Sequence, residues 1–256
     1  MKKQTVVIDC FPESADRYRT RYAIVVIDVI RASTTATTAL ALGRRVLPAR
    51  TSDEASVKAA TLQNPLLAGE LGGNKPFGFD ITNSPAQIAR RTDVDRPMVF
   101  VSSSGTQLLV NAAGAEAVYV ACLRNATAVA RHLIARHPRV AVLGAGTRGQ
   151  FRREDQFGCA LVARQLIDAG YSAETPATIE IVERWRSTPV DVIRGGRSAE
   201  YLRRSGQEDD LEFVLGHLDD LETIPSLVDG ELIDAARQID SPAVHAGRQA
   251  HAGSAE

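Results

Sequence analysis

The segment IVVIDVIRASTTATT, residues 24–38, places a carboxylate and a guanidinium directly after an apolar run of strand type. Asp28 follows four consecutive apolar residues, Arg31 comes three residues later, and five hydroxyl side chains follow. An ionised carboxylate at the edge of a core is destabilising unless it is paired, hydrogen-bonded or bound to a metal. Asp28 therefore needs a partner, which is either Arg31 or a ligand. A helix that begins near Ser33 would add N-terminal amides, which attract anions.

A second acid follows an apolar run in LLAGELGGNKPFGFDITNSP, residues 66–85. Glu70 precedes two glycines, which permit close approaches that a side chain would block. Asp80 and Asn83 lie further along, before a Ser-Pro pair that is typical of a capped helix start. Alone, this stretch also fits a plain glycine-rich loop before a capped helix. Beside Asp28 it supplies a second acid at the end of a strand.

Hydroxyl groups and a glycine follow a third apolar run in FVSSSGTQLL, residues 100–109. A strand that leads into such residues before a helix can wrap backbone amides and hydroxyls around a tetrahedral oxyanion. The stretch lacks the lysine of a Walker nucleotide site, and a serine-rich helix cap is the structural alternative. The residues that could form the cradle are Ser102, Ser103, Ser104, Gly105 and Thr106.

Three glycines in VLGAGTRGQFRREDQFG, residues 142–158, match the G-x-G-x-x-G pattern of dinucleotide-binding proteins. A non-catalytic protein that binds a dinucleotide or an anionic metabolite through the Gly144–Gly149 loop is therefore an alternative function. Bulky residues after the third glycine disfavour it, and no clear next strand presents an acid about 20 residues on. Glu154 and Asp155 begin a helix, where carboxylates stabilise the helix dipole or face a cation.

Together these loops offer acids without histidine or cysteine, beside Arg31, hydroxyls and glycine amides. Oxygen-only ligands suit Mg²⁺, a hard ion that keeps bound waters and bridges to phosphate. A metal next to an anion cradle predicts phosphoryl chemistry. The acids are Asp28, Glu70, Asp80, Glu154 and Asp155.

The positions of these residues depend on short apolar runs separated by amphipathic patterns. Such runs predict an α/β fold with a mostly parallel sheet sandwiched by helices, in which ligands bind beyond the carboxyl ends of the strands. The predicted strands are 5–9, 23–29, 45–49, 66–70, 98–102, 117–121 and 140–146. The predicted helices between them are 33–43, 53–62, 84–91, 105–114 and 125–136.

The chain divides into three regions by pattern. Residues 1–153 form the α/β sheet region, and residues 154–240 have helical periodicity and are expected to cap the strand ends as a helix-rich C-terminal region. Residues 241–256 are small, polar and aperiodic, which is typical of a disordered tail.

Composition restricts the partners. A formal net charge of −1 gives no electrostatic case for nucleic acid, and the sequence contains no apolar run long enough for a membrane span. The N-terminal apolar run is too short for a signal peptide, so we expect a cytoplasmic protein with a small anionic ligand. The composition is compatible with both a monomer and a homo-oligomer.

Several of these segments, taken in order, resemble the 2-phosphosulfolactate phosphatase family. The resemblance runs from about residue 24 to residue 225. Each segment alone is weakly specific, and their order and spacing together carry the resemblance. The matching segments are DVIRASTT at 28–35, GELGG at 69–73, GFD at 78–80, NSP at 83–85 and SSSGT at 102–106, with Asn125, Ala145-Gly146 and Glu154-Asp155.

The resemblance implies a Mg²⁺-dependent hydrolase associated with coenzyme M biosynthesis. Its substrate would be 2-phosphosulfolactate or a related phosphorylated 2-hydroxy acid. The expected catalytic residues are Asp28, Arg31, Glu70 and Asp155, and the expected metal ligands are Asp28, Glu70, Glu154 and Asp155. The expected phosphate- and substrate-binding residues are Arg31, Ser33, Asp80, Asn83, Ser102, Ser103, Ser104, Gly105, Thr106, Asn125 and Gly146.

Departures from the family pattern concern the substrate. Leu71 stands where the family has arginine, the side chain best suited to a second anionic group such as a sulfonate. Arg148 or Arg152 could supply that charge from another loop. Two mechanisms are open, attack by a metal-activated water and phosphorylation of Asp28. The second is disfavoured because Ile30 stands where an Asp-x-Asp phosphatase has its acid. Further departures are Thr82, Ser104 and Gly144.

Overall fold

The computed structural model describes residues 3–239 and places ten strands in one sheet. The prediction of an α/β fold with a mostly parallel sheet is confirmed, while the predicted tail at 241–256 lies outside the described residues. The sheet order is β4-β5-β3-β10-β9-β6-β2-β7-β1-β8. The strands are β1 Thr5–Cys10, β2 Ala23–Ile27, β3 Val46–Ala49, β4 Leu66–Gly69, β5 Met98–Val101, β6 Ala117–Ala121, β7 Arg139–Gly144, β8 Ser172–Ala173, β9 Pro225–Val228 and β10 Glu231–Asp234.

Helices cover both faces of the sheet and dominate the C-terminal region. Among residues 3–239, no helix combines the length and the apolar content needed to span a membrane. The α-helices are α1 Ala15–Tyr18, α2 Ala32–Ala41, α3 Ser52–Ala60, α4 Pro85–Ala89, α5 Gly105–Asn111, α6 Ala126–Leu133, α7 Arg153–Asp168, α8 Pro176–Trp185, α9 Arg197–Arg204, α10 Glu208–Gly216 and α11 Ala235–Ile239. Short 3₁₀ helices occupy Pro12–Ser14 and Val190–Gly195.

The hairpin β9–β10 differs from the expectation of a helical C-terminal region. Its strands have only four residues each, too few for a clear alternation. The turn carries the local signal, because Asp229 and Gly230 both have positive φ, at 50° and 81°, as a two-residue hairpin turn requires. The hairpin lies in the middle of the sheet, between β3 and β6.

This hairpin reverses the strand direction between the two parallel sets. β10 is antiparallel to β3 and to β9, and β9 is antiparallel to β6. The three reversals mean that β3, β4 and β5 run opposite to β6, β2, β7, β1 and β8. The carboxyl ends of the two sets would lie far apart in a flat sheet.

A shared core explains why those ends meet. One face of both sets lines a single apolar cluster that includes Val26 of β2 and Phe100 of β5. Ala36 of α2 and Leu108 of α5 belong to the same cluster. The helices α2 and α5 therefore lie between the two sets of strands. The loops after β2 and β5, which lead into the N-termini of these helices, come together.

The opposite face of the larger set packs against α6, α7 and α8. In α7, Gly158 lies so close to β2 that an added Cβ would be 2.9 Å from a methyl of Val29 and 3.0 Å from one of Ile27. This glycine lets the first turn of α7, with Glu154 and Asp155, approach the end of β2.

Candidate active site

Asp28 directly follows β2 and begins the turn into α2. Its backbone N–H donates to Ser33 Oγ at 2.8 Å, and its carbonyl accepts from the Ser33 N–H at 2.9 Å. Its Oδ1 accepts from the Ala32 N–H at 3.2 Å. Ser33, an expected phosphate ligand, therefore fixes the turn that presents Asp28. The second oxygen, Oδ2, faces Gly105 and makes no hydrogen bond within residues 3–239.

Asp155 joins three elements around Asp28. Its Oδ1 accepts from the Val29 N–H at 3.0 Å, and its Oδ2 accepts from the Gly146 N–H at 3.1 Å. Gly146 has φ of 60°, and an added Cβ would lie 2.8 Å from the Phe11 ring. A glycine is thus required here both by conformation and by space. Asp155 is 4% exposed, so its carboxylate is buried at the junction of the β2 loop, the β7 loop and α7.

The acids around this junction are short of positive charge. Burial raises the pKa of Asp28 to about 7, with further increases from Glu70 and Glu154. Burial also raises the pKa of Asp155 well above its usual range, with added repulsion from Asp28 and Glu154. The pKa of Glu154 is raised by burial, against a lowering effect of the Ser198 hydroxyl. Each pKa rises mainly because burial disfavours the charged carboxylate.

Glu70 organises the loop after β5. Its Oε1 accepts from the Ser103 N–H at 2.8 Å, while its Oε2 accepts from Ser103 Oγ at 2.9 Å and from the Gly73 N–H at 2.7 Å. Ser103 Oγ in turn accepts from the Gly72 N–H at 2.7 Å. Glu70 and Ser103 thus lock the glycine turn of the β4 loop to the N-terminus of α5.

The start of α5 approaches Asp28 closely. Ser102 and Thr106 cap this helix reciprocally, since the N–H of each donates to the side-chain oxygen of the other at 2.8 Å. Ser104 is the N-cap residue and makes no side-chain capping bond. A Cβ at Gly105 would clash with Asp28 Oδ2 and with the Ala32 side chain. The absence of a side chain at Gly105 is what lets the amide end of α5 face the carboxylate.

Arg31 has a partner that the sequence interpretation missed. Its Nη1 donates to Gln207 Oε1 at 2.6 Å and to Asp210 Oδ2 at 2.5 Å. Asp210 Oδ1 also accepts from Ser84 Oγ at 2.6 Å and from the Ala86 N–H at 3.1 Å. Arg31 and Asp210 are both 4% exposed, so this ion pair is buried. The alternative that Arg31 pairs with Asp28 is therefore not found.

Asp210 was hard to recognise because it belongs to the acidic first turn of α10, EDD at 208–210. Such a run normally indicates a solvent-facing, dipole-stabilising end. Its neighbour Asp209 fits that description, being 74% exposed. The spacing did contain a signal, because Val214 lies four residues after Asp210 and therefore on the same face of α10. Leu211 and Val214 are both buried.

Comparison with known proteins shows the family of this chain. A family model described as 2-phosphosulpholactate phosphatase matches residues 10–230. The chain belongs to the 2-phosphosulfolactate phosphatase family. Its relatives, each named a probable 2-phosphosulfolactate phosphatase, include proteins of Deinococcus radiodurans, Symbiobacterium thermophilum and Synechococcus sp. strain CC9605. Their identities are 34%, 33% and 32%, covering 82%, 82% and 84% of this chain and 90%, 92% and 92% of the relative.

Three residues that the family resemblance nominated for substrate binding make side-chain contacts within the fold. Asp80 Oδ2 accepts from the Leu67 N–H at 2.9 Å and pairs with Arg96 at 3.2 Å. Asn83 Oδ1 accepts from Thr35 Oγ1 at 2.7 Å. Asn125 uses its oxygen for the N–H of Cys122 and its amide for the carbonyls of Val120 and Thr223. These contacts tie the three side chains to the scaffold around the site, and their role in substrate binding stays a prediction.

The predicted four-acid ligand set is not gathered into one cage. Within residues 3–239, no group of three histidine, cysteine or acidic side chains is arranged to hold a metal ion. Glu70 is engaged with Ser103 and Gly73. Asp28 and Asp155 remain as a pair, and Mg²⁺ commonly binds one or two carboxylates while keeping waters and substrate phosphate as its other ligands. The donor set of this chain thus fits Mg²⁺ through two carboxylates.

The glycine loop after β7 does not have dinucleotide-binding geometry. The helix of such a motif begins within the glycine pattern, so that its amides meet the pyrophosphate. Here α7 begins only at Arg153, after a turn in which Thr147 and Gln150 exchange backbone hydrogen bonds of 3.0 and 3.1 Å. Gly144 is instead needed because a Cβ would clash with the Phe151 ring.

Proposed function

We propose that this chain is a Mg²⁺-dependent phosphatase that hydrolyses 2-phosphosulfolactate, or a related phosphorylated 2-hydroxy acid, to the alcohol and inorganic phosphate. The observation that carries the metal is the pair of buried acids Asp28 and Asp155, whose pKa values are raised by burial and by repulsion from neighbouring acids. A bound cation would offset both effects. The names of the relatives support the reaction.

Asp28 and Asp155 would hold the metal, and the bound ion would neutralise phosphoryl charge and lower the pKa of a water. Such an ion would also offset the repulsion that a phosphoryl group would meet at Asp28. Asp28 Oδ2 faces the amide end of α5, where the phosphoryl group would bind. Two neighbouring anions repel one another strongly in a partly buried site. Asp155 keeps its orientation through its two backbone hydrogen bonds.

Arg31 would bind the phosphoryl oxygens. Both of its described hydrogen bonds use Nη1, so Nε and Nη2 remain able to donate. Asp210 fixes the plane of this guanidinium, and planar donor pairs suit phosphate oxygens. Gly105 and Ser104 would complete the cradle through the backbone N–H groups at the start of α5.

We favour attack by water over phosphorylation of Asp28. A phospho-aspartate mechanism needs a second acid to protonate the leaving oxygen. Ile30 occupies the position where that acid would stand. We also propose a cytoplasmic location, a role in coenzyme M biosynthesis and no nucleic-acid partner.

Phosphate release from 2-phosphosulfolactate tests the proposal. We expect EDTA to abolish release and Mg²⁺ to restore it. A full rate in EDTA would exclude the metal, and no release under either condition would exclude the reaction.

A further inference from the structure

We propose that Arg152 and Arg197, joined through Gln150, form a subsite for a second anionic group of the ligand, a sulfonate or a carboxylate. This inference rests on the proposed function, since it assigns the recognition of the part of the substrate that is not phosphate.

The two guanidinium groups converge on one neutral atom. Arg197 Nη1 donates to Gln150 Oε1 at 2.7 Å, and Arg152 Nη1 donates to the same oxygen at 3.3 Å. Neither arginine forms an ion pair with a carboxylate in the part of the chain that the structure describes. The Nε of Arg152 is buried and has no hydrogen-bond partner there. Two like charges held at one amide oxygen repel each other, so an anion that binds both is stabilised.

The pair lies near Asp155 and Glu154. The carbonyl of Gln150 lies against Gly146, the residue whose N–H binds Asp155. Gly196, next to Arg197, is close to Glu154, since an added Cβ would lie 3.3 Å from Glu154 Oε2. A ligand whose phosphoryl group binds at the metal held by Asp28 and Asp155 would therefore have its carbon skeleton on the side of the two arginines.

Helix α9 connects this pair to the glycine turn of the β4 loop. Tyr201 lies one turn after Arg197 on the same face of the helix. Its hydroxyl donates to the Gly73 carbonyl at 2.6 Å, in the glycine turn that Glu70 holds. Arg197 thus lies on the face of α9 that contacts the Glu70 loop.

Position 71 does not supply this charge. Leu71 packs against the apolar cluster on the outer face of the smaller strand set, with Val99 and Val101. Phe100, between those two residues, points to the opposite face and into the shared inner core. The side chain at 71 therefore belongs to the outer face of the smaller strand set. The cations near Asp155 come from Arg152 and Arg197.

The alternative role of the arginines is to offset the negative charge of the buried acids, and it makes a different prediction. Arg152 and Arg153 lower the pKa of Glu154. If the arginines acted only on the buried acids, their loss would affect every ester equally. A subsite requires the loss to depend on the second anionic group of the ligand.

Kinetics with three esters separates these roles: 2-phosphosulfolactate, 2-phospholactate, which lacks the sulfonate, and the phosphate ester of 2-hydroxyethanesulfonate, which lacks the carboxylate. We expect Arg197→Gln and Arg152→Gln to raise KM at least about 10-fold for the esters whose group the subsite binds. The remaining ester should change less than about 2-fold, and it identifies which group binds. Equal losses for all three esters would overturn the subsite.

Gln150→Glu provides a sharper variant, because it is isosteric and exposed. A carboxylate between the guanidiniums would occupy both and should raise KM as the arginine variants do. Arg204→Gln is the control, since Arg204 lies on α9 and is paired with Glu200. A wild-type KM for Gln150→Glu with every ester would contradict the proposal.

Calorimetry makes the test independent of turnover. Wild-type protein with Mg²⁺ should bind sulfolactate more tightly than 2-hydroxypropanesulfonate or lactate, and Gln150→Glu should lose at least about 10-fold for the preferred group. Equal affinities, or no binding of any of them, would overturn the subsite. Failure of all esters to release phosphate would instead overturn the proposed hydrolysis, while the binding data still decide the subsite.

Discussion

Asp28 combines a fixed backbone with a carboxylate whose charged form is disfavoured. The turn is held by Ser33 and Ala32, so the carboxylate stays in place whether or not it is charged. An amide of the same shape should therefore fit. Its charge, in contrast, is opposed by burial and by neighbouring acids.

We expect Asp28→Asn to lower kcat at least about 10²-fold, because a key electrostatic group is lost. Phosphate release per folded molecule is the measurement. Asp53→Asn on α3 is the control, since Asp53 is exposed and outside the site. Wild-type turnover in Asp28→Asn would exclude a catalytic role.

The same variant should change the pH dependence of stability in EDTA. The pKa of Asp28 rises from 3.8 to about 7 on folding, so the folded state binds the proton more tightly. The free energy of unfolding should therefore fall as pH rises from about 4 to about 7, and stay low above it. Asp28→Asn should remove part of this fall and be more stable than wild type at about pH 8 by ~1–3 kcal/mol. Urea unfolding at about pH 5 and about pH 8 measures the difference. An identical change in the free energy of unfolding between these two pH values in wild type and variant would contradict the assignment.

Gly105 tests the close approach of α5 to Asp28. Gly105→Ala should displace Asp28 or the helix, destabilise the protein by ~1–3 kcal/mol and lower kcat at least about 10-fold. Gly216→Ala in α10 is the matched control, since nothing lies within 4 Å of its added Cβ. The control should be neutral or stabilising by up to ~1 kcal/mol. Urea unfolding and phosphate release measure both variants, and wild-type behaviour of Gly105→Ala would exclude the tight contact.

At the scale of elements, α10 is tied to the starts of α2 and α4 by one carboxylate. Asp210 binds Arg31 on one oxygen and Ser84 with Ala86 on the other. The C-terminal helical region thereby sets the orientation of a residue that the β2 loop presents.

Asp210→Asn should leave the buried guanidinium of Arg31 without its counter-charge. Breaking a buried pair costs about 3–5 kcal/mol when one charge is left alone, and we expect a loss of ~2–4 kcal/mol because Gln207 remains. KM for the phosphate ester should rise. Asp209→Asn is the neighbouring control, since its pair with Arg90 is exposed and should contribute less than about 1 kcal/mol. Equal unfolding free energies for the two variants would refute the role of Asp210.

At the scale of the whole molecule, metal binding should couple to folding. Mg²⁺ that binds only the folded state raises its stability by mass action, and the carboxylates must be ionised to bind it. We expect Mg²⁺ to raise the midpoint of thermal unfolding more at about pH 8 than at about pH 5, and not in Asp28→Asn. Differential scanning fluorimetry measures the shift. An equal shift in wild type and variant would place the ion elsewhere.

The sequence by itself determined the local parts of this protein. The apolar runs and turn residues predict most of the strands and the loops that carry Asp28, Glu70 and the serines after β5, because these patterns depend on neighbours in the chain. Their order also supports the family, which comparison confirms. The short hairpin β9–β10 escaped, since four residues do not establish a period.

Only the tertiary structure decided which polar groups meet. Arg31 pairs with a residue 179 positions away, and Asp155 binds an N–H 126 positions away. Asn125, nominated by the family resemblance, donates to the carbonyls of Val120 and Thr223 and accepts from the Cys122 N–H. A buried polar group must find a partner, but residue type and spacing do not specify which one, because burial and distance arise only when the two strand sets close on their shared core.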